Sequence, residues 1–594
     1  MPRSETGGML SYQVKVDGAA IPGSYPVYEI QIEQAINRIA TARIAILDGN
    51  ASTESFAISA SDSFVPGKDI SIEAGYDGQT TVLFKGVITK QALRVRNADG
   101  PLLEVECKDK AVKMTVGRNS ANHAKSKDSD VIQQLIAGAG LTAQVSATSL
   151  QLPTLVQYYA TDWDFMLSRA EVNGMVVSAV NGQVRVFDPT ADSTAVKVLT
   201  YGDNILSFSA ELNAITQLAQ VKATAWSFQS QKLVTASAAS SWPGPGNLSS
   251  KKLAAVVGLD SYQLQTGATE TDEELAGWAK AQMLKSELSK ITGEVRFLGS
   301  AAVLPGDFVT LQGLGARFDG DHFVSAVRHE LADGNWVTEA SLGLSAIWFA
   351  QEHAVEAPSA AGLLPGIQGL FNATVLKICD DPDGEFRIQV EVALFNDDAT
   401  GLWARLANFY STNGQGTFFL PEVGDEVILG FLNQDPRYPV ILGSLYSQKN
   451  VPYSDFSPNQ ENSMKGIVSK STLRVMFDDK NKILSLVTPA NNTVVLDDQH
   501  QQIEVKDQNG NSIVMSSSGI AIKSDKDISL EAGQQVTIKG TSGIALQSTG
   551  GDSTIKAVNI QQTADMQYTA KGNTTAQVQG GVELTLKAAM VMIN

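Results

Sequence analysis

The stretch Ile528-Ser-Leu-Glu-Ala-Gly-Gln-Gln-Val536-Thr-Ile-Lys-Gly-Thr-Ser-Gly-Ile544-Ala-Leu546 decides the fold. In it, two apolar residues separated by one polar residue return every eight positions. The pattern opens at Ile520 and Ile522 and runs through Ile528 and Leu530, Val536 and Ile538, and Ile544 and Leu546. Past Gly550 and Gly551 it resumes at Val558 and Ile560 with its phase moved by two residues. It then continues through Met566 and Tyr568, Thr574 and Ala576, Val582 and Leu584, and ends at Met590 and Met592. A period of two inside each unit is a short strand with one apolar face. The intervening Ser, Thr, Gly, Asp and Lys supply turns and a wet outer face. Fixed short repeats of this kind are the signature of a β-solenoid.

One such unit cannot close a core alone, because a single-chain coil needs about 18 residues to travel round three sides. Three chains wound about a common axis complete the triangle, each giving one strand per layer and turning its apolar pair inward. The interior is thus predicted from the pairs above, and the assembly is a homotrimer with a closing, heterologous interface and no free sheet edges. Each inward pair contributes on the order of 3 kcal/mol per chain and layer. About 14 layers at strand spacing make a shaft on the order of 65 Å long. Upstream, Leu484 and Leu486, Val494 and Leu496, Ile503 and Val505, and Ile513 and Met515 recur at wider spacing with turns such as Asn509-Gly510. They predict a broader collar, so the spike is assigned to 470–594 and a connector to 447–469.

Residues 371–446 read as an OB-type barrel of short strands. Alternation places strands at Phe386–Val392, Leu402–Leu406, Gly416–Leu420, Glu426–Leu432 and Val440–Leu445. The run Arg387-Ile-Gln-Val, Trp403-Ala-Arg-Leu-Ala, Gly414-Gln-Gly-Thr, Pro421-Glu-Val-Gly-Asp-Glu-Val and Asp435-Pro-Arg-Tyr-Pro-Val-Ile-Leu-Gly-Ser-Leu-Tyr446 closely resembles the VgrG family. Those are the spike proteins of type VI secretion and related contractile injection systems, similar to the fused hub and needle of phage tails. Gln157-Tyr-Tyr-Ala-Thr-Asp-Trp-Asp-Phe-Met-Leu-Ser-Arg169 and Asn173-Gly174-Met175 are similar to the same family, and so are Gly306-Asp-Phe-Val, Gly315-Ala-Arg-Phe-Asp-Gly320 and Val327-Arg-His-Glu330.

The expected fold is mainly β. A hub at 1–350 holds two β-barrel modules, about 1–115 and 196–350, around an α/β insert at about 116–195. A linker at 351–370 leads to the barrel. Asp162 is expected to cap one helix, and Thr271-Asp-Glu-Glu274 to open another as a capping box. The resemblance implies that three copies of a two-barrel hub present six near-equivalent modules to a hexameric tube protein. It also implies baseplate proteins and effector proteins as partners, and a PAAR-type tip cap on the apolar end formed by Met590, Met592, Ile593 and Asn594. Contraction would then drive the needle through a target membrane.

Composition bounds the rest. The 594 residues carry a net charge of −18, which argues against nucleic acid, since phosphate binding needs a basic surface. No window approaches a membrane helix, and the N-terminus has neither the charged nor the apolar region of a secretory leader. Synthesis and assembly in the cytoplasm are expected, with delivery outward by contraction. Cys107 and Cys379 match no metal or redox spacing and are both expected buried. The histidines, His123, His322, His329, His353 and His500, show no metal-ligand spacing, although Asp321-His322 and His329-Glu330 allow a carboxylate–imidazole pair. There is no nucleophile elbow and no phosphate loop. The 15 or so residues after the barrel are too few for an enzyme domain, and the chain stops at the end of a repeat. The expectation is a structural protein with no catalytic, cofactor or metal site. Its rivals are a phage-type spike that cleaves cell wall or polysaccharide, and a passive adhesin.

Overall fold

Alternating apolar residues build most of the molecule, and the computed structural model describes residues 8–96, 100–268, 270–395 and 400–593. The chain divides into two compact units, 1–445 and 446–594. In the first, strands Leu10–Val16, Val27–Ala35, Thr41–Leu47, Asp69–Tyr76, Gln79–Arg96 and Gly100–Lys108 pair antiparallel. Their inward positions, among them Ile30, Ile32, Ile44, Ile46, Ile72 and Val105, form one fully buried core. A second core, with Val295, Phe297, Val309 and Val324, lies among strands Ile205–Leu212, Ile291–Leu298, Phe308–Gln312, Gly320–Ala332 and Asn335–Leu342. Gly320–Ala332 pairs directly with Val27–Ala35, placing Leu331 opposite Ile30. The two modules therefore share one 13-stranded sheet, and each covers what would be the other's open edge.

Between them, helices Asp128–Gly138 and Asp162–Val172 pack on a three-stranded sheet, Val176–Val180, Gln183–Phe187 and Thr142–Val145, around Ile132, Met166, Val177 and Val184. The expected cap at Asp162 shifts by one residue. Thr161 is the capping residue, its hydroxyl accepting from the Asp164 amide at 3.0 Å. Asp162 instead accepts from the side-chain amides of Asn119 and Gln157. The capping box at Thr271 and Glu274 is present and opens helix Asp272–Leu288. That helix covers a small sheet of Gln220–Ser227, Lys232–Ala239 and Tyr262–Thr266, an α/β layer within the stretch expected to be barrel. Lys285 on the helix makes a buried ion pair with Glu171, which also accepts from the Phe349 amide at 2.8 Å.

Strands Phe371–Lys377, Ile388–Glu391, Leu402–Leu406, Pro439–Ser444 and Glu426–Phe431 close a five-stranded barrel in that spatial order. Ala373, Val375, Ile388, Val390, Ala404, Val427, Leu429 and Ile441 fill it. The strand expected at Gly416–Leu420 is not a stave. Phe371–Lys377 takes that role, and Gly416 sits in a short hairpin, Ser411–Thr412 against Gln415–Gly416, outside the barrel.

The second unit begins with an antiparallel meander of seven strands, Met464–Val468, Arg474–Asp478, Ile483–Val487, Thr493–Asp497, Gln502–Lys506, Ser512–Ser516 and Gly519–Lys523. Each strand pairs with its successor. The sheet thus starts inside the segment expected to be a connector, and it ends on the strand carrying Ile520 and Ile522, which were expected to open the eight-residue winding.

Among the described residues, 524–593 form no strand pairing with the rest of the chain. This stretch bends at 525–526, 533–534, 541–542, 549–551, 558, 565–566, 573–574, 581–582 and 589, an eight-residue period that holds its phase throughout. The expected two-residue shift is therefore absent. Ile528, Val536, Ile544, Ile560 and Leu584, two residues past each bend, are 53–56% exposed. Val558, Met566 and Val582 stand on the bends themselves and are 99%, 99% and 104% exposed. A side chain on the outside of a bend loses its own-chain neighbours, whereas one on the following strand keeps them. Because the corner residue lies two positions before the first strand residue, an apolar corner imitates the first member of a pair. The residues two and four past the bends of the distal half are thus Ile560 and Gln562, Tyr568 and Ala570, Ala576 and Val578, and Leu584 and Leu586, with Val558, Met566 and Val582 at corners. Glycine marks the same phase. A Cβ on Gly540, Gly572 or Gly580 would lie 2.3, 2.0 or 2.3 Å from the carbonyl oxygen three residues on.

Candidate functional site: an unpartnered apolar face on the shaft

The meander's register aligns its apolar residues into two rows. One runs Ile467, Val475, Leu486, Val494, Val505, Ile513, Ile522; the other runs Phe477, Leu484, Leu496, Ile503, Met515, Ile520. Every step is a direct cross-strand partner, so the face is continuous. The first row lines an open groove of about 800 Å³ that extends to Ile528. Within one chain this face has no cover, although a five-residue strand with one apolar side is stable only when that side is packed. Past residue 523, Ile528, Leu530, Val536, Ile538, Ile544 and Leu546 continue the apolar series, all exposed in the single chain. Met590, Met592 and Ile593, expected at the tip, are exposed as well, and Asn594 lies outside the described residues.

His322, His329 and His500 have local hydrogen-bond partners. His329 is 1% exposed; its Nδ1 lies 3.0 Å from the Thr338 hydroxyl and receives the Trp336 indole N–H at 3.4 Å. Two donors at Nδ1 place the imidazole proton on Nε2, and burial lowers the pKa from 6.5 to about 4. Glu330 pairs instead with Arg296. His322 Nε2 lies 2.7 Å from the Phe318 carbonyl, while Asp321 accepts from Thr310. Neither carboxylate–imidazole pair conceivable from sequence forms. His500 and Asp497 interact at 2.8 Å within one turn of the meander. Among the described residues, no group of three His, Cys, Asp or Glu side chains is placed to hold a metal. Cys107 is buried and its thiol pKa is pushed up by burial. Cys379 is exposed, contrary to expectation, because it lies two residues past the end of strand Phe371–Lys377, in a bend beside Asp380.

Three family models match the chain. The Alg8 N-terminal domain matches residues 6–333. The type VI secretion system/phage-baseplate injector OB domain matches 371–446, and the phage baseplate V C-terminal trimerisation domain matches 483–542. Among curated proteins, the type VI secretion system spike protein VgrG5 of Pseudomonas aeruginosa is 43% identical over 58 residues, 10% of this chain and 7% of that protein. VgrG1c of the same organism is 26% identical over 117 residues, 19% of this chain and 15% of that protein. These matches therefore span less than a sixth of either relative. Among solved structures, the E. coli c3393 protein, a component of the type VI secretion system, aligns over 73% of this chain and 100% of its own, at 14% identity and a TM-score of 0.37.

Proposed function

We propose a function from one premise: the chain belongs to the Alg8 N-terminal domain family, and it carries after that domain the injector OB and baseplate V trimerisation domains of VgrG-like spikes. On this reading it is the structural hub and spike of a contractile injection system. Three copies join, and the needle they form is pushed through a target membrane when a surrounding machine contracts.

The observation that carries this reading is the apolar face running from Ile467 through the two meander rows to the eight-residue winding. Three copies bring three such faces together around one axis. In the meander each chain supplies a complete sheet, and the three sheets close a prism. Beyond residue 523 each rung lacks own-chain strand partners, and two further copies supply them. The hub would seat on a hexameric tube and baseplate proteins, and the tip at Met590 to Ile593 would take a small cap, with effectors carried on the spike. Synthesis in the cytoplasm and outward delivery on contraction belong to the same proposal. No catalytic step is assigned to the chain. Glycosyl transfer or cell-wall hydrolysis by the purified protein would count against it.

Light scattering on the purified chain should give about three times 63.2 kDa. Ile528→Asp places a charge on the packed face and should abolish that mass, because a buried unpaired carboxylate has no compensating partner. A full-length protein that stays monomeric, or an Ile528→Asp variant that assembles normally, defeats the reading.

A further inference from the structure

Thirteen residues separate Leu406 from Leu420, both of which pack against the barrel's core. The segment between them leaves the barrel as an arm. Its two short strands place Ser411 opposite Gly416 and Thr412 opposite Gln415. The Thr417 amide donates to the Tyr410 carbonyl at 2.8 Å and holds the base of the arm closed. Gly414 turns the tip with φ at +73°, and a Cβ on Gly416 would lie 2.5 Å from the Tyr410 carbonyl oxygen, so the geometry depends on both glycines. At the base stand Phe409, Tyr410, Phe418 and Phe419, exposed by 98%, 50%, 78% and 65%, and none joins the barrel core.

Four aromatics can cover on the order of 600 Å², close to one partner's share of a standard protein interface. An exposed apolar surface of that size marks a contact site. Charge indicates the occupant. The chain carries −18, so copies repel one another at long range, yet no charged residue occurs between Ala407 and Pro421. The arm is a neutral place where like chains can touch. Tethering points the same way. The barrel's last strand ends at Ser444 and the first meander strand begins at Met464, so three copies joined along the shaft hold three barrels on short leads at high mutual concentration. A ring of three also needs a second surface to receive the first. The barrel offers one on the outer face of its last two strands, where Leu370 and Leu442 flank Gly430 and, with Leu432, are exposed.

We propose that the aromatic arm Phe409–Phe419 is a clasp between copies, covered in the trimer by the barrel of a neighbouring chain. This rests on the trimeric reading, and the test separates the two. Phe418→Cys is introduced into the full-length chain, and the purified protein is weighed by light scattering before it is exposed to a soluble maleimide. The native Cys379, exposed on the same barrel, serves as the internal standard. Peptide mass mapping then compares the two labelling rates. In a trimer the introduced thiol should label at least tenfold more slowly than Cys379, and the two rates should converge in denaturant. A trimer in which both thiols label equally fast overturns the clasp and leaves the trimer standing, whatever partner covers the arm later. A monomeric wild-type protein overturns both. If Phe418→Cys itself prevents assembly, Tyr410→Cys on the opposite strand of the arm is read by the same rates.

Discussion

The unbroken phase of the eight-residue winding can be tested by paired truncation, Ile560→Ala against Val558→Ala. The two positions are adjacent in sequence spacing and alike in chemistry, yet the bend at 558 puts Val558 on a corner, 99% exposed, and Ile560 on the following strand, 56% exposed. If strand residues face the shared axis, Ile560 is covered by the other two copies. Truncating a buried Ile to Ala costs about 2–5 kcal/mol. Every substitution occurs three times at one level of the shaft, so the trimer should lose about 6–15 kcal/mol, nearer the lower figure because neighbouring cavities relax together. Val558→Ala removes a side chain that touches nothing of its own chain and should stay within about 0.5 kcal/mol per copy. The readout is the rate at which the trimer dissociates in guanidinium, followed by light scattering, since intertwined shafts report stability as a rate. Ile560→Ala should dissociate orders of magnitude faster than wild type, and Val558→Ala at a rate close to it. Equal losses for the two variants, or a larger loss at Val558, would refute the register drawn from the bends.

Further expectations concern the N-terminal domain. His329 is neutral in the fold with a pKa of about 4 against 6.5 when unfolded, so the unfolded chain binds the proton first as pH falls. Stability contributed by the neutral ring is whole above pH 6.5 and declines by about 3 kcal/mol as pH approaches 4. Trp336 stacks on Tyr76 and touches His329, so its fluorescence during denaturant unfolding should follow this decline, and His329→Asn should flatten it relative to wild type. Lys285→Met leaves Glu171 buried without its cation and should cost about 3–5 kcal/mol of stability in urea. Adding Glu171→Gln should recover most of that loss, because an amide oxygen can still accept from the Phe349 N–H.

Periodic features were the legible ones. Eight-residue spacing, the two-residue alternation of the barrel and the Thr271 capping box are local patterns, and each corresponds to an element in the structure. Phase was harder than period. Apolarity at Val558, Met566 and Val582 looks the same in sequence whether the residue stands on a strand or on the corner before it, and only the backbone bends tell the two apart. The small residue closing most rungs, as at Gly540, Gly572 and Gly580, keeps its spacing across Gly550 and was the signal that could have shown the phase to be continuous. Non-local pairings were invisible for a different reason. The joining of the two N-terminal modules depends on Gly320–Ala332 meeting Val27–Ala35, about 290 residues earlier, and alternation says nothing about which edge a strand will find. The run after Gly416 shows why composition misleads at a surface. Its aromatics satisfy strand propensity, but they serve an arm outside the barrel, and Phe371–Lys377 completes the sheet.

The change at Lys523 from self-paired strands to unpaired ones sets an order of assembly. A newly made chain can form the hydrogen-bond ladders of its N-terminal sheet, its barrel and its seven-strand meander by itself, for each lies within one polypeptide, although the meander's apolar face stays uncovered until copies meet. The last seventy or so residues have no such option, because their backbone amides wait for sisters. On the trimeric reading, joining begins where complete sheets meet and runs onward like a zip into the eight-residue winding, the last stretch to become solid.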